Sequence, residues 1–124
     1  MQIAVDVARV VLALYLLFNG VNHFSNLKMM TEYTRYKKVP APGLAVVVTG
    51  LMLLFGGVSI LFGFLVPWGI GVTALFLVAA AVLMHNFWVE EDPMSKTNQM
   101  ANFLKNFALA AALVMLLAVP SWKW

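Results

Sequence analysis

Two histidines, His23 and His85, are the side chains of this sequence best suited to chemistry, because imidazole titrates near neutral pH. Each ends a long apolar stretch inside a short polar string: FNGVNHF at 18–24 and HNFW at 85–88. Asn19 and His23 are four apart, so they stack on one helix face. Asn22 adjoins His23, and Asn86 and Trp88 follow His85. Lys105 and Asn106 interrupt a later apolar stretch, as Thr49 does an earlier one. A cluster of His, Asn and Lys could hydrogen-bond a quinone or another polar head group, and its imidazoles could pass protons. The competing reading is structural: the same residues cap helix ends and anchor them at the membrane surface. Asp6 and Arg9 lie three apart on one helix face and are expected to form a local ion pair, or Arg9 to snorkel.

Other chemistry is excluded or disfavoured. The chain has no cysteine, which removes disulfides, thiolate nucleophiles and thiolate metal sites. Two histidines are too few for a zinc site. Haem held by His23 and His85 is disfavoured, because both lie too near the membrane surface for a protected pocket. The eight methionines read as apolar filler rather than a copper site. No P-loop, dinucleotide-binding glycine fingerprint, HExxH or nucleophile elbow occurs. No metal is expected, and quinone is the one cofactor class left open. Intrinsic enzyme activity is not expected; if present, it would be that of a quinone-linked oxidoreductase subunit.

These residues are positioned by apolar spans. Hydrophobic residues make up 63% of the 124 and charged residues 10%, against roughly half and about a quarter in soluble domains. Such a chain is expected to be all-α: a polytopic, four-helix transmembrane bundle forming one domain over 1–124. The spans read as about 3–23, 44–65, 67–88 and 100–119. About 20 residues rising about 1.5 Å each cross a hydrocarbon core of roughly 30 Å. The first span lacks a basic leader and reads as a retained helix rather than a cleaved signal. Between spans one and two, Met29, Met30, Tyr33 and Tyr36 oppose Lys28, Glu32 and Arg35, which suggests a short interfacial helix ended by Pro40 and Pro42. Trp68, Trp88, Trp122 and Trp124 fall near span ends, as an interfacial belt requires. Ser59 with Gly63, Gly69 with Thr73, and Ala108 with Ala112 are each four apart, a spacing that lets helices approach closely.

The net charge of +3 points to anionic lipid and topology rather than to nucleic acid. Loop 25–41 carries Lys28, Arg35, Lys37 and Lys38, and loop 89–99 carries Lys96. The positive-inside rule therefore places both loops in the cytoplasm and both termini outside. Alternation brings Asn19, His23, His85, Asn86, Trp88, Lys105 and Asn106 to one membrane level, with Thr49 nearby.

Five strings in order, FNGVNHF, VPAPG (39–43), TGLMLLFGG (49–57), HNFW and NFLKNFALAAAL (102–113), resemble the DoxX family of small prokaryotic membrane proteins. The resemblance runs over nearly the whole chain. It implies a four-helix membrane fold and a quinone-linked or membrane-redox setting in a prokaryotic inner membrane. Many relatives carry a glutamate in the second helix after the TG-like motif. Here Leu51, Met52, Leu53 and Leu54 fill that stretch, so an acid-dependent role of that helix is not expected.

The leading expectation is an accessory subunit of a quinone-linked or redox membrane process, with a polar His/Asn/Lys pocket near one face. One alternative is a scaffold that packs on larger membrane proteins through small-residue helix faces. Another is a small-molecule carrier acting as a homo-oligomer. The expected partners are the lipid bilayer and membrane redox proteins or further copies of the chain.

Overall fold

The computed structural model describes residues 1–124. The chain is all-helical: α1 (Gln2–Ser25), α2 (Leu27–Tyr36), α3 (Pro42–Phe62), α4 (Val66–Met84) and α5 (Pro93–Met115), with 3-10 turns at Phe87–Val89 and Leu116–Ala118. Four segments are long and apolar enough to cross a membrane: Gln2–Ser25, Pro42–Phe62, Val66–Val89 and Pro93–Ala118. Of 96 backbone hydrogen bonds, 80 lie within helices, which is how a chain in lipid must satisfy its amides.

Helix ends differ from the hydropathy limits because local chemistry sets them. Asp92 accepts the Ser95 amide at 2.9 Å and Pro93 takes the first turn, so α5 starts seven residues before Met100. Most of the expected loop 89–99 is therefore helix. α4 stops at Met84 instead of Trp88, and His85 and Asn86 leave helical geometry. α3 stops at Phe62 because Gly63 takes a left-handed φ of 71°. A β-carbon there would lie 2.5 Å from the Trp122 carbonyl oxygen, so the turn and the docked tail both require glycine. The interfacial segment forms as α2, with Lys28, Glu32 and Arg35 exposed and Thr34 buried.

α1 packs on α3, α3 on α4, and α4 on α5, while α2 lies across α3. The core runs through Ala13, Leu16, Leu53, Ile60, Val66, Ile70, Leu77, Ala110 and Leu113. Close approach depends on small residues. A side chain at Gly56 would collide with Thr73 Oγ1, and one at Gly69 would lie 2.5 Å from Ser59 Cβ. The Ser59 and Thr73 hydroxyls are buried there without hydrogen-bond partners. Ser59, Gly69 and Thr73 are thus used up inside the α3–α4 hairpin, and Gly63 under the tail, so neither pair offers a surface to a partner. Only Ala108 and Ala112 face outward. Val7, Val11, Leu14, Phe18, Leu104 and Met115 are exposed as well, an apolar exterior suited to lipid.

Asp6 and Arg9 do not form the expected ion pair; the molecule's one salt bridge joins Lys37 and Glu90. Arg9 is buried and donates Nε–H to Ile60 O at 2.7 Å and Nη2–H to Leu61 O at 3.1 Å. These carbonyls lie in the last turn of α3, where helical partners run out. The guanidinium lies 3.9 Å from the Trp124 ring centroid and 5.4 Å from that of Trp122. Asp6 instead accepts from Gln2.

Candidate functional site

Five of the seven expected residues line one cavity of about 290 Å³. Tyr15, Asn19 and His23 reach it from α1, spaced four residues apart on one helix face. α3 supplies Val46, Thr49 and Leu53, and α4 supplies Phe76, Leu77 and Leu83. His85 closes the end of α4, and Lys105 and Asn106 come from α5. Met30 and Thr34 of α2 complete the lining. No Asp or Glu lines this space.

The α1–α3 contact places His23. A β-carbon at Gly50 would lie 2.8 Å from Phe24 Cε2 and 2.9 Å from His23 Cβ, so glycine lets this end of α1 come close to α3. His23 Nδ1 is 3.0 Å from Val46 O and 3.2 Å from Thr49 Oγ1. A carbonyl oxygen only accepts, so Nδ1 carries the proton. Thr49 sends its own hydroxyl proton to Ala45 O at 2.7 Å. The neutral ring therefore keeps Nε2 as an acceptor with no protein partner. Phe76 meets the ring edge-on at 5.9 Å.

His85 is held differently. Its Nδ1 is 2.9 Å from Gln99 Oε1, and Gln99 Nε2 donates to Tyr33 OH at 2.8 Å. In this arrangement Nδ1 carries the proton and Nε2 accepts. An amide can rotate by half a turn, whereas a backbone carbonyl cannot. With Gln99 reversed and the Tyr33 hydroxyl donating, Nδ1 would accept and Nε2 would donate. His23 is thus locked as an acceptor, and His85 sits on a hydrogen-bond chain that works in either sense.

The two asparagines also differ. Asn19 Nδ2 donates to Tyr15 O at 2.8 Å, which leaves its oxygen free. Asn106 is only 6% exposed and makes no hydrogen bond to the protein, although it lines the cavity. Its amide therefore borders the cavity with its hydrogen-bonding capacity unused by the protein.

Two expected members lie outside the cavity. Asn86 accepts from Lys37 Nζ at 2.8 Å, and Lys37 also pairs with Glu90 at 3.3 Å. Trp88 packs edge-on against Phe87 and Phe103 and is half exposed. The break at His85 turns both away. Tyr15, Tyr33 and Gln99 were not among the expected residues. Tyr15 continues the Asn19–His23 stripe by one further turn, a signal present in the sequence; Tyr33 and Gln99 have none.

A family model described as DoxX matches residues 4–86, more than half of the chain. The chain belongs to the DoxX family. It is a multi-pass membrane protein, with four apolar helices in the expected order. The family match ends at Asn86, so in this DoxX protein α1 to α4 and both histidines lie inside it. Gln99, Lys105 and Asn106 of α5 lie beyond, although the resemblance had been read through residue 113. No curated protein and no solved structure matches the chain.

Proposed function

We propose that this DoxX protein binds the head group of a quinone or quinol inside the membrane, as an accessory subunit of a redox process in a prokaryotic inner membrane. One observation carries the reading: His23, His85, Asn19, Lys105 and Asn106, from three sides of the bundle, converge on an apolar-walled cavity. A quinone presents two carbonyl acceptors, and a quinol presents two hydroxyl donors. Asn106 and Lys105 can donate to carbonyls, and His23 Nε2 and Asn19 Oδ1 can accept from hydroxyls. His85 suits both redox forms, because reversing Gln99 and Tyr33 exchanges its cavity-facing role. The apolar walls from Leu53, Phe76, Leu77 and Leu83 match an aromatic ring and the start of its tail.

In this reading α2 and the α4–α5 turn face the cytoplasm, following the excess of Lys and Arg there. Because the chain has no native cysteine, single cysteines at Met94 and Ser121 can be labelled in intact cells with an impermeant maleimide. Labelling of the first without the second would reverse the topology.

The binding reading is tested with purified protein in lipid nanodiscs and a short-tailed quinone, followed by tryptophan quenching. The wild type is expected to saturate. His23→Ala with His85→Ala should weaken binding at least about fivefold, for two charge-free hydrogen bonds at about 0.5–1.5 kcal/mol each. His23→Gln with His85→Gln keeps the side-chain bulk and guards against a folding artefact. Undiminished affinity in both double variants would remove the cavity from the account.

A further inference from the structure

Among the polar groups on the cavity, Lys105 alone brings a formal charge, and the protein does not answer it. The one ion pair in the molecule, Lys37–Glu90, involves another lysine. The side-chain hydrogen bonds near this level run Lys37 to Asn86, His85 to Gln99 and Gln99 to Tyr33, and none reaches Lys105. No carboxylate lines the cavity. Lys105 lies five residues past Met100, where the apolar part of α5 begins, or about 7–8 Å along the helix axis. An ammonium at that depth beside aliphatic walls is costly unless an anion or water completes it.

The same residue lies on one of two lining helices that do not pack extensively on each other. α1 and α5 flank the cavity from opposite sides without extended packing on one another; each is held through α3 and α4. Tyr15 on α1 lines the cavity yet is 39% exposed. Lys105 on α5 lines it and is exposed too. Two exposed lining residues on helices without extended mutual packing make this the natural way out of the cavity to the bilayer. Asn106, the adjoining residue, lines the cavity with an amide that makes no hydrogen bond to the protein and can meet a second oxygen of the same head group.

We propose that the cavity selects a head group bearing an anionic oxygen, ion-paired with Lys105, whose apolar tail leaves between α1 and α5 into the bilayer. This rests on the cavity being a head-group site, as proposed above, and narrows its ligand to an acidic amphiphile. Two sources share that chemistry: a quinone-type ring with an ionised hydroxyl, and a fatty acid with its carboxylate. Either would place one oxygen on the ammonium and offer another to Asn106 or, as a hydroxyl, to a histidine Nε2.

The test uses full-length protein in neutral-lipid nanodiscs and a matched pair of alkyl naphthoquinones, with and without an acidic ring hydroxyl that is ionised at neutral pH. The wild type should bind the acidic member at least about tenfold more tightly, the worth of a hydrogen bond to a charged group. Lys105→Met and Lys105→Gln should bring that ratio to about one, with the acidic member losing at least about tenfold more affinity than the neutral one; Lys105→Arg should keep the preference. An unchanged ratio in both neutral variants overturns the inference and means that the lysine snorkels away from the ligand. Failure of both compounds to bind any variant, wild type included, overturns the head-group reading on which the inference rests. Oleate serves as a third ligand. If it displaces the acidic probe from wild type and loses affinity in Lys105→Met, the anionic head stands and the quinone ring does not.

Discussion

Replacing Arg9 with methionine is expected to loosen the end of the bundle opposite the cavity. Arg9 gives two charge-assisted hydrogen bonds to Ile60 O and Leu61 O and stacks on Trp124. Each hydrogen bond contributes about 1.5–3 kcal/mol, and the cation–π contact about 1–2 kcal/mol where it is desolvated. Methionine recovers the cost of burying the guanidinium, which is several kcal/mol. It also leaves Ile60 O without a donor, while Leu61 O keeps Trp124 Nε1 at 3.1 Å. The net loss should be about 2–4 kcal/mol, or a fall of about 10 °C in the unfolding midpoint. The assay is thermal unfolding in detergent, with Trp68 and Trp88 changed to phenylalanine so that emission reports only Trp122 and Trp124. Emission should shift to the red in Arg9→Met as the tail detaches. Arg9→Lys should fall between, because an ammonium keeps the charge but cannot fork across two carbonyls. A double-mutant cycle with Trp124→Leu should give a coupling of about 1–2 kcal/mol. Unchanged unfolding and emission in Arg9→Met would falsify the clamp.

Two further substitutions probe the packing and the cavity. Gly56→Ala drives a methyl into Thr73 Oγ1, a fully buried group with nowhere to go, and should cost about 1–3 kcal/mol by thermal unfolding; adding Thr73→Ala should recover most of it, and no recovery would mean that the collision lies elsewhere. Asn106→Leu removes a cavity-lining amide that makes no hydrogen bond to the protein and should leave the unfolding midpoint nearly unchanged while weakening quinone binding, so a variant that loses stability and binds normally would contradict the assignment.

The four spans were legible because a bilayer imposes a length and a polarity that a sequence displays directly. Their ends were not, because single groups decide them: Asp92 starts α5 early, and Gly63 stops α3 before Leu65. The polar level was legible for a similar reason. His23, Asn19, His85, Lys105 and Asn106 interrupt apolar runs, and alternation of the helices brings those interruptions to one side. Rotation about each helix is another matter. Asn86 and Trp88 stand at the right depth but point elsewhere, because the chain leaves the helix at His85. Arg9 shows the same limit. Spacing offered Asp6 three residues away, and the real partners are 51 and 52 residues on. Tertiary carbonyls leave no trace in side-chain spacing. Gln99 and Tyr33 were invisible because their role depends on α5 beginning early enough to carry Gln99 beside His85.

Arg9 and Lys105 pose one physical problem and receive different answers. Each is a cation among apolar helices, and neither has a carboxylate at hand. At Arg9 the fold supplies two backbone carbonyls and two indole rings, so the charge is settled by the protein and the site is closed. Around Lys105 the fold supplies a histidine on a reversible amide and an asparagine that makes no hydrogen bond to the protein. A structural lysine would be selected for the first kind of surroundings, since unsatisfied polar groups in lipid cost stability and return none. Polar groups left open at the same depth, from α1, α4 and α5 together, are therefore better explained by a molecule that completes them than by packing. The two cations thus differ chemically: Arg9 is held by carbonyls and rings of its own chain, and Lys105 has no such partner.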